Sequence, residues 1–231
     1  MTTAYKNKLF AVYGDSISTL QGCSLPHGAA FYEGARAREA GVLTVADTWW
    51  GKVIAALGGR LLINHSISGS TVCCLPAYEL PAYGCSSERI AALCRAGQTP
   101  DVVMVLLGIN DWGHGIAPLP RAASEAENPF IFSVAYRHML AGLQAACPQA
   151  ELWCLTLPVS CCTRRAGFTF PYRYGGRHME EYNEIIRATA QACGARLIDL
   201  YRAEQPHDTL DGFHPTAQGM QTLADNLLAM L

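Results

Sequence analysis

Residues 9–19 read LFAVYGDSIST: five apolar residues, then a glycine, a carboxylate and a serine. The run suits a strand buried on both faces, and Gly-Asp-Ser is the punctuation of a sharp turn out of it. Similar apolar runs recur at 61–64, 102–107, 152–157 and 197–200, each bounded by Gly, Pro, Asp or Asn. Helix-period segments lie between them. Asp47 is placed to cap TWWGKVIAALG, and Ser86 or Ser87 to cap ERIAALCRA. Pro129 or Phe130 opens a longer helix towards Ala146, GRHMEEYNEIIRATAQACG closes on Gly194, and Pro215 takes a first helical position in HPTAQGMQTLADNLLAML. Near-continuously apolar strands alternating with helices predict an α/β fold, a three-layer α/β/α sandwich around a parallel, flavodoxin-like sheet. With no repeat or linker to divide it, the chain is expected to form one domain over 1–231.

The rest of the composition narrows the partners. Half of the 231 residues are hydrophobic and the formal charge is −2, with no basic face or acidic tail. Neither nucleic acid nor an anionic membrane is expected as a partner, so the ligand should be a small molecule. The first residues run straight into a strand without a signal-peptide core, and no apolar run approaches the roughly 18 residues of a membrane span. A cytoplasmic protein is expected. Its ten cysteines include the adjacent pairs 73–74 and 161–162 but no CxxC spacing, and its seven histidines are dispersed. Reduced, partly buried cysteines follow, with no metal and no cofactor.

In a parallel sheet, ligands gather at the carboxyl ends of the strands. There the chain offers Gly14-Asp15-Ser16, then residues 64–69 (NHSISG) and 108–111 (GIND), and DGFH at 211–214 just before the final helix. Each signal has an ordinary structural reading. Ser16 suits a turn or cap, Asp211 an Asx turn, Asn110 a loop tie, and Gly69 and Gly108 a positive φ. Together they supply acyl transfer. A serine hydroxyl becomes nucleophilic when an imidazole removes its proton, and His214 is the candidate base. Asp211, three residues earlier, suits the role of fixing the tautomer. The backbone N–H groups of Ser16 and Gly69 and the Asn110 amide suit an oxyanion hole.

These four ordered blocks resemble those of the SGNH hydrolases, also called the GDSL esterase/lipase family. GDSIS, NHSISG, GIND and DGFHP match in order along nearly the whole chain, with Ile17 in place of the leucine of the family name. The resemblance implies Ser16 as nucleophile, Asp211 and His214 as its partners, and Ser16, Gly69 and Asn110 as the oxyanion hole. The α/β-hydrolase elbow fits less well, since residues 14–18 lack the second glycine of G-x-S-x-G.

Substrate choice should reside in two loops, at 22–45 and 158–178. Asp15, Trp112, His114, Tyr172 and Tyr174 are the candidate substrate-binding residues, Asp15 being equally suited to tying loop backbone. The arginines at 164, 165, 173 and 177 either solvate the second loop or reach the pocket to meet an anionic substrate. With no long apolar lid, a short acyl ester is expected, such as the O-acetyl group of an acetylated sugar. The alternatives are a thioesterase or lysophospholipase-type acyl hydrolase of the same fold, a catalytically silent carbohydrate-binding protein, or a nucleotide binder. The last lacks GxGxxG or GxxxxGK[ST] after any strand.

Overall fold

The computed structural model describes residues 3–24, 30–75, 83–94 and 97–231. Five parallel strands form its central sheet: β1 (Leu9–Gly14), β2 (Arg60–Asn64), β3 (Val102–Leu106), β4 (Glu151–Leu155) and β5 (Arg196–Ile198). Their order is β2-β1-β3-β4-β5. The chain leaves β1 towards one edge and β3 towards the other, so a crevice opens between the carboxyl ends of these neighbours. Their register pairs Tyr13 with Val105 and Gly14 with Leu106, which brings the segments after β1 and β3 side by side.

Strand periodicity sends alternate side chains to opposite faces, and both faces are covered. Ala11, Tyr13, Val103 and Val105 pack under α3 (Ser87–Ala91), α5 (Phe132–Ala146) and α6 (Met179–Ala192). Phe10, Val12, Met104 and Trp153 pack under α1 (Gly34–Ala40), α2 (Trp49–Ala56) and α7 (Ala217–Ala229). One further turn, α4 (Ile109–Gly113), follows β3 directly.

Local chemistry moves several expected boundaries. Thr48, not Asp47, caps α2 by accepting the Gly51 N–H, while Asp47 closes the preceding turn against Thr44. Ser86 caps α3, and the side chain of Thr216 caps α7, leaving Pro215 outside the helix. The Asn183 amide spans the N–H and C=O of Leu157 at 2.8 and 3.2 Å, and β4 has already ended at Leu155. Asp199 ends β5 early, since its carboxylate is held by Arg187 at 2.8 Å and Thr156 at 2.9 Å. Neither α1 nor α4 carries an apolar period long enough to be foreseen. Residues 25–29 of the first specificity loop and 95–96 of ERIAALCRA lie outside the described residues.

All ten cysteines are unpaired. No helix among the described residues is long and apolar enough to cross a membrane.

Candidate active site

The turn out of β1 is fixed before any function is considered. A Cβ on Gly14 would lie 2.7 Å from the Ser18 hydroxyl oxygen and 3.0 Å from that of Ser66, so only glycine allows this approach. Asp15 is extended, and its Oδ1 accepts the Ile17 N–H at 3.0 Å, starting the 3₁₀ turn Ser16–Ser18. The carbonyl of Ser18 then accepts the Trp50 indole N–H at 3.0 Å and the Asn64 amide at 2.8 Å. Ser16 is thereby held between the core of one face and the end of β2.

Across the crevice, His214 Nε2 stands 2.9 Å from Ser16 Oγ, and His214 Nδ1 stands 2.7 Å from Asp211 Oδ2. The other carboxylate oxygen accepts the N–H groups of Phe213 and His214, both at 2.9 Å. Burial alone would raise the Asp211 pKa, but the hydrogen bonds from the His214 ring and from the backbone N–H groups of His214 and Phe213 outweigh it and hold it at about 2. An ionised Asp211 keeps the proton on Nδ1, so Nε2 is free to accept the proton of Ser16. Phe31 lies flat on the imidazole, centroids 3.5 Å apart and planes 4° apart, and the neighbouring Tyr32 O–H donates to the Pro215 carbonyl at 2.9 Å. No sequence pattern pointed to Phe31.

The second and third blocks are bound to one another. Gly69 and Gly108 have φ of +76° and +127°, which glycine alone adopts cheaply. Asn110 donates one amide N–H to the Ser70 carbonyl at 2.8 Å, and an amide carries a second. The Asp111 carboxylate, fully buried, accepts the N–H groups of Val72 and Cys73 at 2.8 and 3.0 Å. Burial pushes its pKa up to about 6 against the pull of those two donors. Beneath them Arg89, 2 % exposed, donates to the carbonyls of Gly14 at 2.7 Å and His65 at 2.9 Å and to the Ser70 hydroxyl, with its guanidinium over the Tyr13 ring. One cation thus ties the turn after β1 to the loop after β2.

Above this floor is a hollow of about 350 Å³ bounded by Ser16, Asn110 and His214, with walls of Ile17, Ile109, Gly113, His114, Tyr174 and Phe213. Helical geometry explains which block-three residues face it. Asn110, Gly113 and His114 share one side of α4, whereas Trp112 is turned about 200° from Asn110. Trp112 is accordingly a core residue, fully buried, its indole N–H donating to the Arg177 carbonyl at 3.0 Å. The expectation that it contacts substrate is corrected. So is that for Asp15, which is 1 % exposed behind Ser16, with burial, countered by the Ile17 N–H and Arg89, raising its pKa to about 7. Tyr172 turns away as well, stacking on His178 and against Phe170. Gly69 is joined to Asn110 through Ser70 and is not itself a wall of the hollow. His114 and Tyr174 do border it.

The sequence pattern described as the GDSL-like lipase/acylhydrolase family matches residues 12–222. Comparison with curated proteins finds no significant relative. Among solved structures, the chain is similar to a candidate GDSL-like lipase from Bacteroides uniformis at 27 % identity and a TM-score of 0.70, covering 96 % of this chain and 94 % of that one. A second such protein, from Bacteroides ovatus, shares 24 % identity with a TM-score of 0.69 and 97 % of each chain. A carbohydrate acetylesterase from Sinorhizobium meliloti shares the fold at 16 % identity and a TM-score of 0.63, covering 97 % of this chain and all (100 %) of that one. The chain belongs to the GDSL-like lipase/acylhydrolase family and is an ester-hydrolysing enzyme.

Proposed function

We propose that the protein is a cytoplasmic serine esterase that removes short acyl groups, acetyl above all, from small molecules such as acetylated sugars. The observation that carries the reading is the relay of 2.9 and 2.7 Å from Ser16 through His214 to Asp211 at the edge of a small hollow. His214 Nε2 takes the proton of Ser16 as Oγ bonds to the ester carbonyl carbon and the C=O electron pair moves onto oxygen. The N–H groups of Ser16 and Gly69 and the free N–H of the Asn110 amide receive that oxyanion. As the pair returns, the bond to the alcohol oxygen breaks, and the imidazolium proton goes to that oxygen. Water then repeats the sequence on the acyl-enzyme, releasing the carboxylic acid and restoring Ser16.

The hollow supports the choice of a short chain. At about 350 Å³ it lies at the lower end of ligand-site volumes, and Ile17 and Ile109 are its aliphatic walls. The similarity to a carbohydrate acetylesterase agrees with a sugar ester in kind. Ten unpaired cysteines suit a reducing compartment.

Turnover of p-nitrophenyl acetate should exceed that of the octanoate by about tenfold or more. Ser16→Ala and His214→Ala should each lower kcat by at least about a thousandfold, and a fluorophosphonate probe should label the wild type but not Ser16→Ala. Equal activity in all three proteins would refute the reading.

A further inference from the structure

A second hollow, of about 330 Å³, adjoins the first, and Tyr174 and Phe213 border both. Its remaining walls include Arg165, Phe168, Thr169 and Asp211. Resting on the esterase reading above, we infer that this second hollow is the acceptor subsite, which takes the alcohol half of the ester and is shaped for a neutral polyhydroxylated ring.

Position gives the first argument. The imidazole that takes the proton from Ser16 must pass it to the departing alcohol oxygen, so that oxygen lies within about 3 Å of His214 Nε2. Asp211 and Phe213, on either side of Gly212 and just before His214, form part of the second hollow. An alcohol leaving across Phe213 and Tyr174 therefore enters it, while the acyl group remains beside Ile17 and Ile109.

Construction gives the second. Ser160 and Cys161 pair in parallel with His207 and Asp208, and the Thr209 hydroxyl donates to the Cys161 carbonyl at 2.6 Å. Ser160 also donates to the Gly212 carbonyl at 2.6 Å. The aromatic loop is thus joined to the segment that carries Asp211 and His214. Gly212 has φ of +103°, and a Cβ there would fall 2.9 Å from the Phe168 ring, so the glycine makes room for this aromatic wall directly beneath the triad segment.

Chemistry gives the third. Phe168, Tyr174 and Phe213 offer apolar ring surfaces to the C–H faces of a sugar, and the Thr169 hydroxyl, Arg165 and Asp211 offer donors and acceptors. Arg164 is engaged by Glu39 at 3.2 Å and Arg177 by Glu181 at 3.6 Å, whereas Arg165 has no ion pair among the described residues. It borders the hollow together with Asp211, whose side chain is 47 % exposed. A cation and a carboxylate facing the same space favour neither an anionic nor a cationic ligand, and both bond hydroxyl groups well.

The test compares 6-O-acetylglucose with ethyl acetate, whose alcohol is too short to cross the ridge. In the wild type kcat/KM should favour the sugar ester by about tenfold or more, the worth of one hydrogen bond to a charged group. Arg165→Met and Thr169→Trp, the latter filling the hollow, should each lower the ratio of the two kcat/KM values by about tenfold. Free glucose should competitively inhibit ethyl acetate hydrolysis by the wild type, and Thr169→Trp should abolish that inhibition. Turnover of both esters with an unchanged ratio in both variants overturns the subsite and leaves the esterase reading intact. A wild type that hydrolyses neither ester removes the esterase reading and this inference with it.

Discussion

The loops around Ser16 and the loop at 159–178 meet at one crevice but are built in opposite ways. Around Ser16 the polar side chains of Asp15, Ser18, Ser70, Arg89 and Asp111 are all buried, and most of their bonds join one loop to another. In the second loop, Tyr172 and Tyr174 are 43 % and 48 % exposed, and Arg164 and Arg165 face solvent. A buried charge needs its partners in place, which makes the first region stiff, whereas exposed groups tolerate exchange. On the proposed function the difference separates reaction from choice: the stiff loops hold the geometry that acyl transfer needs, and the exposed one selects what enters.

Three substitutions probe that division. The largest effect belongs to Asp211→Asn, which should lower kcat on p-nitrophenyl acetate by about ten-thousandfold, since an amide no longer holds the imidazole in its working tautomer. Asp15→Asn should cost far less activity, and the reverse order would give Asp15 the role of the triad acid. Next comes Asn110→Ala, which removes the proposed oxyanion donor and the tie to Ser70. It should lower kcat by about a hundred- to a thousandfold with KM little changed. A loss confined to KM would place Asn110 on the choosing side of the division instead.

The smallest effect concerns stability. Burial raises Asp15 to about 7 in the folded protein, against about 3.9 in an unfolded chain. Between those values the folded state binds more protons, so its stability is greatest at low pH within the window and falls as pH rises towards 7. Asn at this position retains an oxygen for the Ile17 N–H but does not titrate. The urea midpoint should therefore fall less from pH 5 to pH 8 in Asp15→Asn than in the wild type. A slope remains from Asp111, raised in the same direction to about 6. Equal slopes would mean that Asp15 stays ionised beside Arg89.

The same contrast governs what was legible in the sequence. The strands were legible because burial on both sheet faces forces continuous apolar runs, and the polar blocks at their ends because a parallel sheet delivers them to one edge. Side-chain direction was harder to read. Trp112 follows Asn110 by two positions, but the single turn of α4 sends it into the core, while His114, four positions on, returns to the hollow. Phe168, Phe170, Tyr172 and Tyr174 alternate in the sequence, yet the extended pairing covers only Arg173 and Tyr174, and Tyr172 turns towards His178. Neither Arg89 nor Phe31 belongs to any of the four sequence blocks. Both act through contacts with residues distant in sequence, which neither period nor spacing records.

One consequence follows from the 198 positions that separate Ser16 from His214. Synthesis proceeds at about 5–20 residues per second, so a nascent chain carries the serine for about 10–40 s before its base has been made. During that interval the chain carries Ser16 without His214, the proposed acceptor of its proton. On the proposed mechanism activity thus arrives late in the life of each molecule, when the 211–214 segment docks, and a chain cut short before it is inert towards the esters around it.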